Sequence, residues 1–359
     1  MLKTLSPRCS SEHPLTLKPL RSELWRGEVL ESAHEVHAAL VDERGQLLAS
    51  AGDPSFVTTA RSSLKPFQLL PTLIRGGRER FELTPADIAL MCASHNGEPQ
   101  HTERCAALLE KLGARVADLE CGAHEPYHRD AARALARAGA EPSALHNNCS
   151  GKHCGMLALR SLLEAEGSYL SADHPVQSAI FECVESLLGA PRTWRWGTDG
   201  CSLPTPAINL EEFATLFAQL AAGRSPHDER AAEHLPLIFE AMSAHPELVA
   251  GAGRFDTAFM SAAAGSAVCK VGGEAIRGFA LREASGRALG LVLKVTDGAM
   301  RALHPACLAL LNHLELIERP STLHRPLEDQ VGLDRFWRGV ELNWAGREAT
   351  EVRVKIQER

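Results

Sequence analysis

The chain has 359 residues, 45% of them hydrophobic, and its 38 basic and 45 acidic side chains leave a formal charge of −7. That charge, with 5% aromatics and only 2 tyrosines, excludes the basic, base-stacking surface of a nucleic-acid binder and disfavours an anionic membrane as partner. The length accommodates one large domain or two closely packed ones.

Residues 1–20 carry scattered Lys, Arg, Ser and Pro with no apolar core of the secretory kind, and no later stretch approaches ~18 uninterrupted apolar residues, so a soluble, cytoplasmic protein is expected. The ten cysteines form no Cys-x-x-Cys pair. In a chain this long they are expected as reduced thiols, mostly acting as small buried hydrophobes.

Apolar alternation over residues 36–42 and 46–50, around Glu43-Arg44-Gly45, predicts an opening hairpin. The next segment, Arg61-Ser62-Ser63-Leu64-Lys65-Pro66, contains Ser-x-x-Lys ahead of an apolar run. If Ser62 opens a helix, Lys65 falls one turn later on the same face, and Pro66 is tolerated in the first turn. A neutral amine there can take the serine proton, as in Ser-Lys variants of the catalytic triad. An N-cap serine is the alternative. Only 8 of the 38 basic residues are lysine, so the lysines in polar, glycine-flanked contexts carry information: Lys65, Lys152 and Lys270.

Residues 86–93 are an apolar run, a strand or a short buried helix, with Ser94-His95-Asn96-Gly97-Glu98 at its end, where either chemistry or a simple turn is expected. Helical periodicity follows over 102–112, 130–138, 154–166, 175–188, 210–221 and 300–316. The run Asn147-Asn148-Cys149-Ser150-Gly151-Lys152-His153 precedes the third of these and offers hydroxyl, thiol, amine and free N–H groups at a helix start, or else a capping loop closed by its asparagines. Long loops are expected over 190–207 and 224–236. The first holds Gly197-Thr198-Asp199-Gly200-Cys201, in which Asp199 can hold a substrate ammonium and Cys201, with Cys149, a soft metal. Strands are expected again at 275–281, 288–295 and 351–356.

Several patterns are set aside. His124-Glu125-Pro126-Tyr127-His128 has the letters of a zinc protease helix, but Pro126 biases Glu125 away from the helical region. There is no Pro-Cys-x-x-Cys deaminase motif, and neither Gly-rich nucleotide-binding pattern occurs.

The runs Arg61 to Gln68, Ala93 to Pro99, Leu119 to His124, Asn147 to His153, Gly197 to Cys201 and Lys270 to Glu274, in this order, resemble the rhizobial-type, class 3 L-asparaginases from about residue 25 to the C-terminus. The resemblance implies an α/β (α+β) fold like serine β-lactamases and glutaminases, a cytoplasmic homodimer, and hydrolysis of L-asparagine to L-aspartate and ammonia. It implies two Ser-Lys tandems, Ser62 with Lys65 and Ser94 with Lys270, and a zinc ion held by Cys149, Lys152 and Cys201. It also implies substrate-pocket roles for Arg61, His153 and Asp199, with the Arg61 cation facing the α-carboxylate and Asp199 the α-ammonium. The chain departs from the family's commoner pattern at Ser202-Leu203-Pro204 and at Gly272-Gly273-Glu274-Ala275, which bears on pocket shape more than on reaction class.

The expected organisation is a loose extension over 1–24 and one catalytic domain over 25–359, with a helical subdomain at about 100–260. Ser62 attacks the carboxamide, Lys65 takes its proton, and water discharges the acyl-enzyme. Two other classes share some features. A β-lactamase-like amidohydrolase uses Ser-x-x-Lys, but Lys-Thr-Gly and Ser-Asp-Asn are missing here; a non-catalytic zinc or amino-acid binder would keep the ligands without turnover.

Overall fold

Both strands of the expected opening hairpin form, the first starting seven residues earlier than expected. In a computed structural model describing residues 2–6 and 8–359, the strands are Val29–Asp42 and Leu47–Ala51. The protein is mixed α/β. The chain divides into two units: Met1–Thr58, Ile208–Ala222 and Ala258–Arg359 form the first, and Thr59–Ala207 with Gly223–Thr257 the second.

The first unit is built on a sheet whose strands run in the spatial order Glu341–Leu342, Glu348–Lys355, Leu20–Arg26, Val29–Asp42, Ala288–Val295, Ile276–Arg282 and Ala267–Gly272. Every neighbouring pair along this path is antiparallel. Leu47–Ala51 pairs with the far part of Val29–Asp42, and Leu15–Leu17 lies parallel to it. The strands Ala288–Val295 and Ala267–Gly272 are buried along their whole length, and apart from Lys294 and Lys270 they carry only apolar residues and glycine. Helix Leu210–Ala222 packs on this sheet so closely that a Cβ at Gly290 would lie 1.9 Å from the Ala214 carbonyl oxygen.

Residues 1–24 are not a loose extension. Leu2, Leu5 and Cys9 are buried, and Leu20–Arg26 lies between two other strands. Positions 1 and 7 fall outside the described residues. The scattered Lys and Pro hide a short alternation in which Leu20 and Leu24 point inward.

The second unit is mostly helical and begins at Thr59 rather than near 100, and residues 208–222 belong to the first unit instead. Its helices include Lys65–Ile74, Pro85–Met91, Pro99–Leu112, Arg129–Arg137, Ser150–Leu162, Pro175–Leu188 and Ala231–Ala244. The ambiguous run at 86–93 is therefore a helix, opened by a capping box in which Thr84 and Asp87 exchange hydrogen bonds. Asp87 also takes Arg104 at 2.9 Å and Lys111 at 2.7 Å. The expected loop over 224–236 becomes helical from Ala231, with Pro236 inside the helix.

Ser150–Leu162 crosses Pro85–Met91 at Gly151, where a Cβ would lie 2.1 Å from the Leu90 carbonyl oxygen. Only glycine permits that approach, and it brings the Cys149–Lys152 segment beside the residues that follow Pro85–Met91. We expect Gly151→Ala to lower the unfolding free energy by about 1–3 kcal/mol, because the helices must separate. Gly155→Ala on the same helix, whose Cβ would have 3.5 Å of room, should be neutral or stabilising by up to ~1 kcal/mol. Urea unfolding of both variants checks this.

Candidate active site

Lys65 is the first residue of its helix, preceded by a 3-10 turn over Arg61–Leu64. Pro66 loses no hydrogen bond there because first-turn N–H groups have no intrahelical acceptor. The Lys65 side chain is fully buried. Its amine donates to Ser94 Oγ at 2.9 Å and to the carbonyl of Ala93. Ser94 follows the helix Pro85–Met91 and is fixed by its own N–H, which donates to Val249 at 2.9 Å.

Spacing pairs Lys65 with Ser62, and the resemblance pairs Ser94 with Lys270; in the structure the Lys65 amine bonds Ser94. A lysine stem reaches past the residue one turn away, and a buried amine takes the acceptors at the neighbouring helix end. Ser62 is half-buried in the 3-10 turn, its carbonyl accepts the Lys65 N–H, and among the described residues its hydroxyl has no hydrogen-bond partner. Lys270 belongs to the first unit, where it is buried on the strand Ala267–Gly272 and its amine donates to the Val271 carbonyl at 2.8 Å.

The expected metal ligands do converge. Lys152 Nζ donates to Cys201 Sγ at 3.0 Å, and Cys149 lies within electrostatic reach of Cys201, Lys152 and Lys65. All are buried. The hydrogen bond from Cys201 and the charges of Lys152 and Lys65 hold the Cys149 thiol well below its ordinary range despite burial. Sharing that proton, together with burial, pushes Cys201 up.

The two lysines are driven apart. Burial, aided by the charge on Lys152, lowers Lys65 toward the neutral amine. Lys152 is raised, because Cys149, Cys201 and Asp199 outweigh its own burial.

Arg61 and Asp199 meet each other, Nε to Oδ1 at 2.8 Å. Burial opposes the Asp199 charge, but Lys152 and Arg61 hold its carboxyl below the usual range. Arg61 has φ +49°, a left-handed conformation, and is held in it by its N–H to Thr205 Oγ1 at 3.0 Å; backbone strain of this kind clusters at functional sites. The Asp199 loop is closed by Asp199 N–H to Leu203 at 2.8 Å and Ser202 N–H to Asp199 at 2.9 Å.

His153 is fully buried on helix Ser150–Leu162. Tyr169 Oη lies 2.8 Å from its Nδ1 and takes the Glu120 N–H at 2.9 Å, so the tyrosine proton points to His153 and the ring N–H is on Nε2. That atom is buried without a partner among the described residues. Burial first, then the charges of Lys152 and Lys65, push His153 well below the ordinary imidazole range. Tyr169 has no sequence signal beyond being one of only 2 tyrosines.

The segment 119–124 acts as a brace: Asn147 Nδ2 donates to the Cys121 carbonyl at 2.8 Å, and His124 Nε2 accepts the Asn148 N–H at 2.9 Å. Among the described residues no group of three His, Cys, Asp or Glu side chains is arranged for a metal, so a metal here depends on Lys152.

A sequence profile of the family described as L-asparaginase II matches residues 22–354. No curated protein matches the chain in sequence. Among solved structures, the chain is similar to one described as Mglu in its native form, at 15% identity and a TM-score of 0.44, over 80% of this chain and 66% of that one. It thus spans just under two thirds of the Mglu chain. It is also similar to a β-lactamase from Sphaerobacter thermophilus DSM 20745, at 13% identity and a TM-score of 0.39, over 80% of this chain and 94% of that one. No helix among the described residues is long and apolar enough to cross a membrane.

Ser202, where the sequence departs from the family pattern, has φ +70°, the region glycine favours. Ser202→Gly should therefore stabilise the protein by about 0.5–1 kcal/mol, read as a rise in thermal midpoint.

Proposed function

The chain belongs to the L-asparaginase II family, whose name denotes amide hydrolysis, and we propose that it hydrolyses the side-chain carboxamide of L-asparagine to give L-aspartate and ammonia. The observation that carries this reading is the buried Lys65 amine 2.9 Å from the Ser94 hydroxyl, in an environment that lowers its proton affinity.

Ser62 is the nucleophile in this reading, because its hydroxyl is half-exposed and uncommitted while Ser94 is 4% exposed. The Ser62 oxygen attacks the amide carbon, and its proton reaches the Lys65 amine with Ser94 as relay. The C–N bond then breaks, the proton leaves with ammonia, and an ester to Ser62 remains. Water attacks the ester and gives its proton to the same amine, which passes it to the departing Ser62 oxygen as aspartate is freed.

The substrate is a zwitterion, so the Arg61–Asp199 pair supplies one partner for each of its α-groups: the guanidinium for the carboxylate and the carboxylate for the ammonium. The donor that His153 Nε2 leaves unpartnered adds one neutral hydrogen bond.

Cys149, Lys152 and Cys201 would hold zinc, a fit supported by two buried free thiols and an amine 3.0 Å from one of them. When bound, the metal supplies Lewis-acid polarisation and an anchor for a substrate oxygen. To act as a ligand, Lys152 must give up the proton that the two sulfurs and Asp199 hold on it.

Purified protein should release ammonia from L-asparagine; a folded, zinc-supplied sample that releases none overturns the reading. Ser62→Ala should lower kcat by roughly 10³-fold or more and abolish acyl-enzyme trapping. Ser94→Ala should lower kcat by roughly 10²–10³-fold yet still allow trapping. If Ser94→Ala abolishes trapping and Ser62→Ala does not, the two serines exchange roles. Chelator treatment should raise KM more than it lowers kcat; the reverse would make the metal part of the chemical step.

A further inference from the structure

We propose that His95 is a positioning residue: as a neutral imidazole protonated on Nε2, it holds the Ser94 hydroxyl in register with the segment that carries Cys149 and Lys152. His95 follows Ser94 directly and is fully buried. Its Nδ1 accepts the N–H of Gly97 at 3.1 Å. A backbone N–H can only donate, so the ring proton is on Nε2. That proton goes to Ser150 Oγ at 2.8 Å.

Ser150 is committed as an acceptor to this bond. Its own hydroxyl donates to the Leu145 carbonyl at 3.1 Å, and the Cys105 thiol donates to the same oxygen at 3.1 Å. A second bond runs in parallel, from the His95 backbone N–H to the Asn148 carbonyl at 3.2 Å. The serine beside His95 and the ligand Cys149 between Asn148 and Ser150 are thereby tied by two bonds from one residue.

The opposite face of the ring is fixed too. His95 stacks on His101 with centroids 4.8 Å apart and planes at 8°. His101 Nδ1 accepts the Glu98 N–H at 3.1 Å, so its Nε2 proton goes to the Glu247 carbonyl at 2.9 Å. Both rings have all their nitrogens in use, which leaves His95 no role as a proton carrier. Lys65 bonds Ser94 and feels the charge of Cys149, so its environment depends on the spacing that His95 sets. Partners one step behind a metal ligand change affinity or activity by about 10–100-fold.

The kinetic part of this inference rests on the amide-hydrolysis reading; the metal-binding and spectroscopic parts do not. The experiment compares wild type, His95→Phe, His95→Gln and His101→Phe as full-length proteins. His95→Phe keeps the bulk and the stacking but loses both hydrogen bonds. It should weaken zinc binding, measured by chelator competition, by about 10–100-fold and, assayed with zinc saturating, lower kcat by a similar factor with KM within about threefold. His95→Gln, whose amide can replace the Nε2 donor, should recover both to within about tenfold of wild type. His101→Phe should lower the thermal midpoint and leave both quantities near wild type.

Equal losses in His95→Phe and His101→Phe, or wild-type zinc affinity and kcat in His95→Phe, would overturn the proposal and reduce the ring to a core filler. In ¹⁵N-histidine spectra of the metal-free protein, His95 should show a slowly exchanging Nε2 proton that exchanges faster in Ser150→Ala. An Nδ1 proton would overturn the assignment whether or not the protein binds zinc or releases ammonia. A wild type that binds zinc but releases no ammonia would sink the hydrolysis reading alone.

Discussion

A lysine amine removed from water must be satisfied by its neighbours or give up its charge, and the second unit is arranged around that constraint at Lys65. The amine sits among the Ala93 carbonyl, the Ser94 hydroxyl and the Cys149 sulfur. None of these is a carboxylate that would lock the proton in place. Lys152, a residue equally buried, has two sulfurs and Asp199 for company and keeps its proton. The difference between a base and a cation is made here by the second neighbour rather than by burial. Every element that delivers those neighbours, from the glycine contact at Gly151 to the turn after Met91, serves the same few ångströms.

The site was largely legible because its residues come in short polar runs beside apolar helices, and scarce lysines made three positions stand out. Arg61, Asp199, Cys149, Lys152 and Cys201 stand together in pairs as their residue types imply. The bond from Lys65 to Ser94 is not legible in the sequence, because spacing measures turns of a helix while a lysine stem spans to the next element. Helices such as Pro175–Leu188 fall where their periodicity places them, since a buried stripe leaves a clear pattern. The helix Ala231–Ala244 was hidden by Pro236 and the polar residues before it, and the early strands by their brevity. Nothing in the order of residues links Tyr169 to His153, or Ser150 to His95; those contacts exist only once helices are packed.

With 16 histidines and 10 cysteines the composition invites a search for metals, yet seven of the imidazoles do something plainer. His37, His95, His101, His124, His128, His146 and His174 each accept a backbone N–H. His128 and His174 do so at the starts of the helices Arg129–Arg137 and Pro175–Leu188, where serine or aspartate is the usual cap. A ring that accepts in this way ties its nitrogen to the backbone, so the same residue type that elsewhere moves protons here holds loops in place. The loops that carry the reactive groups gain rigidity without an added charge next to Lys65.

The first unit is assembled from three separate stretches of chain, and Leu20–Arg26 finds one of its two strand partners only in Glu348–Lys355. On a ribosome, which releases the chain from its N-terminus, that strand must wait until Glu348–Lys355 has been made before its second edge is covered. The second unit completes its sequence at residue 257, about a hundred residues earlier. Synthesis therefore favours an order in which the helices around Lys65 settle while the sheet is still open, and a nascent edge strand of this kind is where a chaperone would find its work.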